Sequence, residues 1–591
     1  MTVPERKAAF FYQWPFGPEH FGAHSLINGE LRGDNMEKWV VTAKRADFND
    51  IGRRFNIDPV IARCIRNRDI VGDEAIREYL YGDLTYLHDP MLLLNMDKAV
   101  RILRKKIADG ARIRIIGDYD IDGIMSSYIL KRGLTELGAN VDVKIPNRVT
   151  DGYGINESLI REAYKDGTDT IVTCDNGISA GPQIKVAKEL GMTVIVTDHH
   201  EVLSVPEAAD AVIDAKQEGD TYPYKEMCGA GVAWKLILAM GGDPGYDLLP
   251  YVAFATVGDI VDLTGENRIL VKEGIARLHS VDNPGLRALA RECRIELSKI
   301  DTYHIGFILG PCLNASGRLD TAMRACALLE ERDEAEAGRL ARELKDLNDS
   351  RKAMTEEGVA LACDRVEAEG IVNDKVFVIF LPEVHESLAG IVAGRVRERY
   401  NHPVFVLTRG EEGVKGSGRS IESYPMFDAL VGVSHLLTKF GGHPMAAGLS
   451  LPEENIGLLR RELNEQCTLT EEDFVEKVKI DVPMPVSYVT ENLIEQLSLL
   501  EPFGKANPKP AFAEKGVVCA YPRIFGANKN VVKARILTPS GRPGPDLISF
   551  RDAEELKTAI DEKGTLSIVY YPQINDYMGM RTIQIAVTRF M

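Results

Sequence analysis

The stretch Gly117-Asp-Tyr-Asp-Ile-Asp-Gly123 sets three carboxylates on alternate residues and closes on a glycine. It matches the opening of a calcium loop, D-x-[DN]-x-[DN]-G, a pattern that needs a bidentate Glu at its far end. Counted from Asp118, that position is Ile129, and the segment before it is apolar or hydroxylic. Calcium-loop chemistry is excluded at its most demanding ligand. Other acids and imidazoles recur downstream: Asp175 in TCDNGIS, Asp198-His199-His200 in VTDHH and Asp259 in VGDIVDL. Carboxylates with one or two imidazoles and no thiolate favour Mn²⁺ or Mg²⁺ over structural zinc. Two such ions about 3.5–4 Å apart suit the in-line attack of water on phosphorus.

The elements that must position these groups are short β-branched runs: IRIIG (113–117), VDVKI (141–145), TIVTC (170–174) and VIVTD (194–198). Helix-like stretches such as PQIKVAKELG separate them, which is the pattern of buried parallel strands in βαβ units. Asp118 and Asp175 follow directly on strands, and VIVTD ends on Asp198 with the two histidines next. Ligands bind beyond the carboxyl ends of such strands. An isolated Asp there is commonly only a helix cap. Three strands delivering acids or imidazoles to one edge favour a site. In an extended DYDID, alternate side chains point the same way, so Asp118, Asp120 and Asp122 are expected to converge. Cations would relieve their repulsion.

The rest of the chain divides by pattern. Residues 1–40 read as a tail without a signal-peptide apolar core, and 41–106 as a helical region. An α/β domain with a parallel sheet spans 107–320, a helical linker 321–370, and a second α/β domain 371–470, starting at VFVIF. Residues 471–591 read as a linker and an all-β domain, a small barrel or a sandwich, with LSIVYYPQI and RTIQIAVTRF alternating.

At 591 residues, with 45% hydrophobic and 27% charged content, the chain is an ordinary multidomain globular protein. No run approaches the roughly 18 apolar residues of a membrane span. The cysteines at 64, 174, 228, 293, 312, 326, 363, 467 and 519 form no C-x-x-C pair. That argues against a disulfide framework or zinc cluster and for a reducing cytoplasm. A net charge of −17 argues against indiscriminate coating of nucleic acid.

Together GDYDIDG, TCDNGIS, VTDHH and VGDIVDL resemble the ordered motifs of the DHH phosphoesterase superfamily. CGAGVAWKL, LNASGRLDTA, SLAGIVAGRV, GSGRSI, FGGHPMAAGLSL and LEPFGKANPKP narrow the resemblance to its RecJ family of single-strand-specific exonucleases, from about residue 48 to the last strand. The resemblance implies a two-metal (Mn²⁺ or Mg²⁺) exonuclease degrading single-stranded DNA 5′→3′ to mononucleotides in DNA repair and recombination. Asp118, Asp120 and Asp122 would hold the ions, Asp175 would bridge them, and His199 and Asp259 would complete the second site.

Adjacent side chains on a regular strand cannot both face one ion, so His200 is assigned to the surrounding shell or to a phosphate. Arg148, Arg318, Ser417, Arg419 and His443 are the expected substrate contacts, the last three from the family's DHH-associated domain. Lys529, Lys533 and Arg535 would give the OB-type C-terminal domain a basic face. A single-strand-binding protein and a helicase are expected partners by family analogy. One departure stands out: Val384-His385 replaces the family's frequent Trp-His pair, which removes an aromatic stacking surface. Alternative readings within the same superfamily are an oligoribonuclease or small-phosphodiester phosphatase, and a non-catalytic replication scaffold. The long C-terminal region favours RecJ over the first, and the filled ligand positions weigh against the second.

Overall fold

Five short strands form the catalytic sheet: β1 (Arg112–Ile116), β2 (Asn140–Lys144), β3 (Thr170–Cys174), β4 (Thr193–Thr197) and β5 (Ala211–Ile213). They pair only in parallel, in the order β2-β1-β3-β4-β5. β3 is buried at every position, as β-branched strands covered on both faces should be. The chain runs from β1 outward to β2 and then returns to the other side of β1 as β3. The crevice where strand order reverses, past the carboxyl ends of β1 and β3, is where such sheets bind ligands. Asp118 and Asp175 occupy that point.

The computed structural model describes residues 31–32 and 35–591, apart from 149, 411–412, 527 and 578. It divides into two compact units, Arg77–Phe474 with Leu500–Lys509, and the chain up to Ile76 with Val475–Leu499 and Pro510–Met591.

In the first unit α1 (Ile121–Glu136) follows β1 and packs on α2 (Gly229–Ala239) and α3 (Leu249–Gly258). Both α2 and α3 are apolar around their circumference, as in VAWKLILA and LPYVAFAT, and are almost wholly buried. Each fully buried Val, Leu or Ile in this core contributes about 1.5–3 kcal/mol relative to exposure. α4 (Pro284–Glu292), α5 (Gly310–Leu319) and the 35-residue α6 (Glu334–Ala368) complete the helical layer and lead to the second lobe. That lobe holds β6 (Phe377–Phe380), α7 (Ala389–Tyr400), β7 (Val404–Gly410), β8 (Gly413–Arg419), β9 (Lys439–His443) and β10 (Ala446–Leu451). Its sheet runs β9-β10-β8-β7-β6, with only β6 and β7 parallel.

In the other unit β11 (Val482–Pro483), β12 (Phe512–Phe525), β13 (Val531–Leu537), β14 (Pro543–Ser549), β15 (Thr565–Tyr577) and β16 (Met580–Phe590) form a six-stranded sheet. Pairing of β12 with β15 closes it, which decides for the barrel over the sandwich. The tail reading lies mostly outside the described residues, but its last part does not hold. Asn35–Val41 is a strand, parallel to Glu476–Ile480, whose alternate residues Trp39 and Val41 pack on one cluster, where Trp39 is fully buried with Ile480, Ala513 and Val569. No described helix is long and apolar enough to cross a membrane.

Candidate metal centre and phosphate cleft

Past β1 the chain turns at once into α1, so DYDID is not extended as the alternation predicts. Asp120 caps the helix, its carboxylate accepting from the amides of Asp122 (2.9 Å) and Gly123 (3.2 Å). Asp122 therefore enters from the first helical turn and is fully buried. Its two oxygens accept from Gly229 N (2.6 Å) and Ala230 N (2.7 Å), the first amides of α2. A carboxylate on a helix N-terminus is favoured by orphan donors and the helix dipole together. The approach demands glycine: a Cβ on Gly229 would lie 2.9 Å from Asp175 Cβ and 3.0 Å from its Cα.

Asp175 follows β3 with φ +58°, a left-handed conformation uncommon for a non-glycine residue and frequent where a site imposes strain. Tyr153 Oη donates to its carbonyl oxygen at 2.9 Å. His199 Nε2 stands 3.1 Å from Asp175 Oδ1, 3.5 Å from Asp122 Oδ2 and 3.9 Å from Asp259 Oδ2. Asp259 reaches it from the C-terminal end of α3. β4 ends at Thr197, so the strand rule that separated His199 from His200 does not apply. Their ring centroids are 4.4 Å apart. Asp198, absent from the expected site, organises this turn. Its Oδ1 accepts from His199 N (2.8 Å) and pairs with His200 Nδ1 (2.7 Å), and its Oδ2 accepts from Ile178 N (2.9 Å) in the DNGIS loop.

Donor atoms thus gather in three overlapping groups: Asp118, Asp120 and Asp175; Asp122, His199 and Asp259; and Asp175, His199 and His200. Burial, and then neighbouring carboxylates, lift Asp118 and Asp175 well above the usual carboxylate range. The same causes push Asp122 up to about 7 and Asp259 up to about 8. Burial, then His200, lowers His199 to about 3, so it is a neutral donor near pH 7. Burial opposes the charge on His200, but the hydrogen bond to Asp198 and the charges of Asp198, Asp259 and Asp122 together outweigh it and raise the imidazole to about 9. Asp118 Oδ1 is buried without a hydrogen-bond partner. Oxygen and imidazole donors, mutual repulsion and an unsatisfied buried oxygen all fit hard divalent cations.

Beside this centre a cavity of about 530 Å³ lies between Tyr119 and Arg148 on one side and the second lobe's Lys415, Ser417, Lys439 and Phe440 on the other. Arg148 stacks over the Tyr119 ring at 4.7 Å. Arg419 Nη1 donates to Ser417 Oγ (3.1 Å), and Arg318 Nη1 to the Ser387 carbonyl (3.1 Å). Burial, then Arg148 and Arg351, lowers Arg318 to about 10. Arg419 is lowered by burial, Arg148 and Arg397. Guanidinium groups crowded in this way favour an incoming anion.

The structure thus brings Asp118, Asp120, Asp122, Asp175, His199, His200 and Asp259 together. Arg148 and Ser417 line the cavity, with Arg318 and Arg419 close by. His443 is exposed on β9 and does not line it. In the barrel Lys533 and Arg535 pair with Asp546 at 2.8 and 3.0 Å, so their charge is partly spent within the fold. Sequence reasoning placed Asp198 at its strand end without giving it a role, and missed Tyr153, Lys415 and Lys439. The lysines carried a signal, since Lys415, Ser417 and Arg419 alternate on β8.

A family model described as "DHH family, N-terminal domain" matches residues 112–256, "DHHA1 domain" 373–469, and "RecJ OB domain" 480–589. The single-stranded-DNA-specific exonuclease RecJ of Bacillus subtilis (strain 168) is 36% identical over 557 residues, covering 93% of this chain and 70% of that protein. The protein of that description from Escherichia coli (strain K12) is 33% identical over 562 residues, 90% of this chain and 95% of its own length. The crystal structure of RecJ in complex with Mn²⁺ from Thermus thermophilus superposes with a TM-score of 0.80 at 27% identity, covering 94% of this chain and 79% of that one. Its complex with Mg²⁺ gives a TM-score of 0.74.

Proposed function

Because this chain belongs to the RecJ family of single-stranded-DNA-specific exonucleases, we propose that it digests single strands from their 5′ end and releases mononucleotides. It is a metal-dependent exonuclease acting on single-stranded DNA. The observation that carries the two-ion part of this reading is that Asp175 is grouped with Asp118 and Asp120 and also stands 3.1 Å from His199, itself grouped with Asp122 and Asp259. One carboxylate shared between two donor sets is what a pair of ions requires.

Asp118 and Asp120 are the residues we assign to one ion, Asp122, His199 and Asp259 to the other, and Asp175 to both. When bound, the cations activate water and offset charge on the phosphoryl oxygens. The chain does the remaining work. The amides of Gly229 and Ala230 hold Asp122 in place. Neutral His199 keeps its lone pair for coordination, and His200, kept protonated by Asp198, offers a proton or a positive charge to the phosphate. Arg148, Arg318, Ser417 and Arg419, with Lys415 and Lys439, draw the strand's phosphates into the cavity, where an anchored 5′ terminus sets direction. The arginines supply bidentate contacts that lysine cannot.

The family resemblance supports a role in DNA repair and recombination in the cytoplasm, beside a single-strand-binding protein and a helicase. The test compares a 5′-labelled blunt duplex with a 5′-tailed duplex labelled at its 5′ end and a 3′-tailed duplex labelled at its 3′ end, in Mn²⁺. Labelled mononucleotide should come from the 5′ tail alone. Release from a 3′ tail instead would overturn the polarity, and faster cutting of short RNA than of long single-stranded DNA would favour the oligoribonuclease reading.

A further inference from the structure

Every described cysteine is buried except Cys293, which is partly exposed. It closes α4, and its Sγ lies 3.9 Å from Sγ of Cys312 in α5. α5 is tied to the active site. It carries Arg318, and a Cβ on Gly317 would lie 2.1 Å from the Tyr119 carbonyl oxygen, so the helix sits directly under GDYDIDG. Cys312 is also the start of a buried polar chain. Asn348 Nδ2 donates to its Sγ (3.3 Å), and Arg351 Nε donates to Asn348 Oδ1 (3.0 Å). Asn348 and Cys312 are both fully buried. Arg351 is in turn one of the charges that press on Arg318. A solvent-reachable thiol is thereby linked, through one sulfur contact and two hydrogen bonds, to Arg351, whose charge acts on Arg318 beside the phosphate cleft.

We propose that Cys293 and Cys312 are a reversible disulfide site, closed by low-molecular-weight disulfides such as glutathione disulfide, and that closing it slows the nuclease. The Cys293 thiolate attacks one sulfur of the reagent, and the first glutathione leaves and takes up a proton. Cys312 then gives up its proton as its sulfur attacks the mixed-disulfide sulfur of Cys293, expelling the second glutathione. Two protein thiols are oxidised, and one reagent disulfide is reduced to two thiols. Thiolate character selects the attacking sulfur. The hydrogen bond from Cys312, with Lys345 and Lys352 nearby, holds the Cys293 thiol below its usual range.

A disulfide needs its sulfurs about 2 Å apart, so closure draws Cys312 away from Asn348 and α5 toward the end of α4. Arg318 moves with its helix, and Arg351 loses the partner that Cys312 steadies. Exposed disulfides of this kind are labile and regulatory rather than structural.

The test treats the Mn²⁺-loaded enzyme with glutathione disulfide, alkylates it after denaturation, and reads intact mass, a peptide map and the rate on single-stranded DNA. Two of the nine cysteines should escape alkylation as a Cys293–Cys312 peptide. The rate should fall about fivefold or more, within the usual range for coupled sites, and dithiothreitol should restore both. Cys293→Ser and Cys293→Ala, each checked by its melting curve, should keep every remaining thiol and an oxidant-insensitive rate. Full alkylation, a stable glutathione adduct on Cys293, a bond between other cysteines, or an unchanged rate once the bond has formed would each overturn the proposal. The rate readout rests on the nuclease reading and the alkylation readout does not, so the two can fail separately.

Discussion

Asp175 and Asp198 sit at corresponding places, one residue past neighbouring strands, and do different work. Asp175 presents its carboxylate to His199 and to the Asp118–Asp120 group, whereas both Asp198 oxygens are engaged inside the protein. Asp175→Asn keeps the shape and removes the charge. Its rate on single-stranded DNA should drop at least about 10²-fold, beyond what loss of an outer-sphere partner costs, and extra Mn²⁺ should not restore it. Asp198→Asn should lower the rate about 10- to 100-fold, as for other groups that orient a ligand. The pH profile separates the two. Protonated His200 is lost as pH rises through its pKa, about 9 with Asp198 in place. Without the carboxylate that pKa falls, so the alkaline limb of the rate profile should move to lower pH in Asp198→Asn. An unmoved limb would show that His200 does not need its proton.

The site is assembled at the ends of elements: strand ends for Asp118, Asp175 and the histidines, the N-terminus of α1 for Asp120 and Asp122, and the C-terminal end of α3 for Asp259. The contact on which the assembly turns is the N-terminus of α2, whose amides grip Asp122 beside Asp175. Gly229→Ala should therefore fold, since the helix itself is unperturbed and alanine favours it, yet displace both acids. A loss of about 10- to 100-fold in Mn²⁺ affinity, measured by titration with far-UV circular dichroism unchanged, is the expected result. Normal affinity would mean that the backbone yields without moving the ligands. Element existence was legible locally: β-branched runs gave the sheet, helix formers gave α6, and alternation gave the barrel strands. Asn35–Val41 was not, because its partner strand lies more than four hundred residues downstream and nothing nearby announces the pairing.

At the scale of the molecule, the acidic centre opposes the fold that builds it. Asp122 and Asp259 titrate at about 7 and about 8 in the folded chain, above the carboxylate range of an unfolded one. The folded state then holds more protons between roughly pH 4 and 8, so stability falls as pH rises through that window. In EDTA the melting temperature should be lower at pH 8 than at pH 5. Mn²⁺ should raise it more at pH 8, where the ligands are free of protons. An equal rise at both values would argue against cation binding at these acids. The net charge of −17 also coexists with a basic cleft, because attraction for a phosphate depends on the charges within about 10 Å.

By itself the sequence determined the sheet, the acids at its carboxyl edge and the type of metal they suit. Strand period, helix formers and caps are local, carried by residues a few positions apart. Only the tertiary structure decided which acids share a neighbour, that DYDID bends into a helix, that Asp198 holds His200, and that two amides of α2 seat Asp122. That last contact joins residues 107 and 108 positions apart. Such convergence is set by how whole elements pack, and no window of sequence contains it.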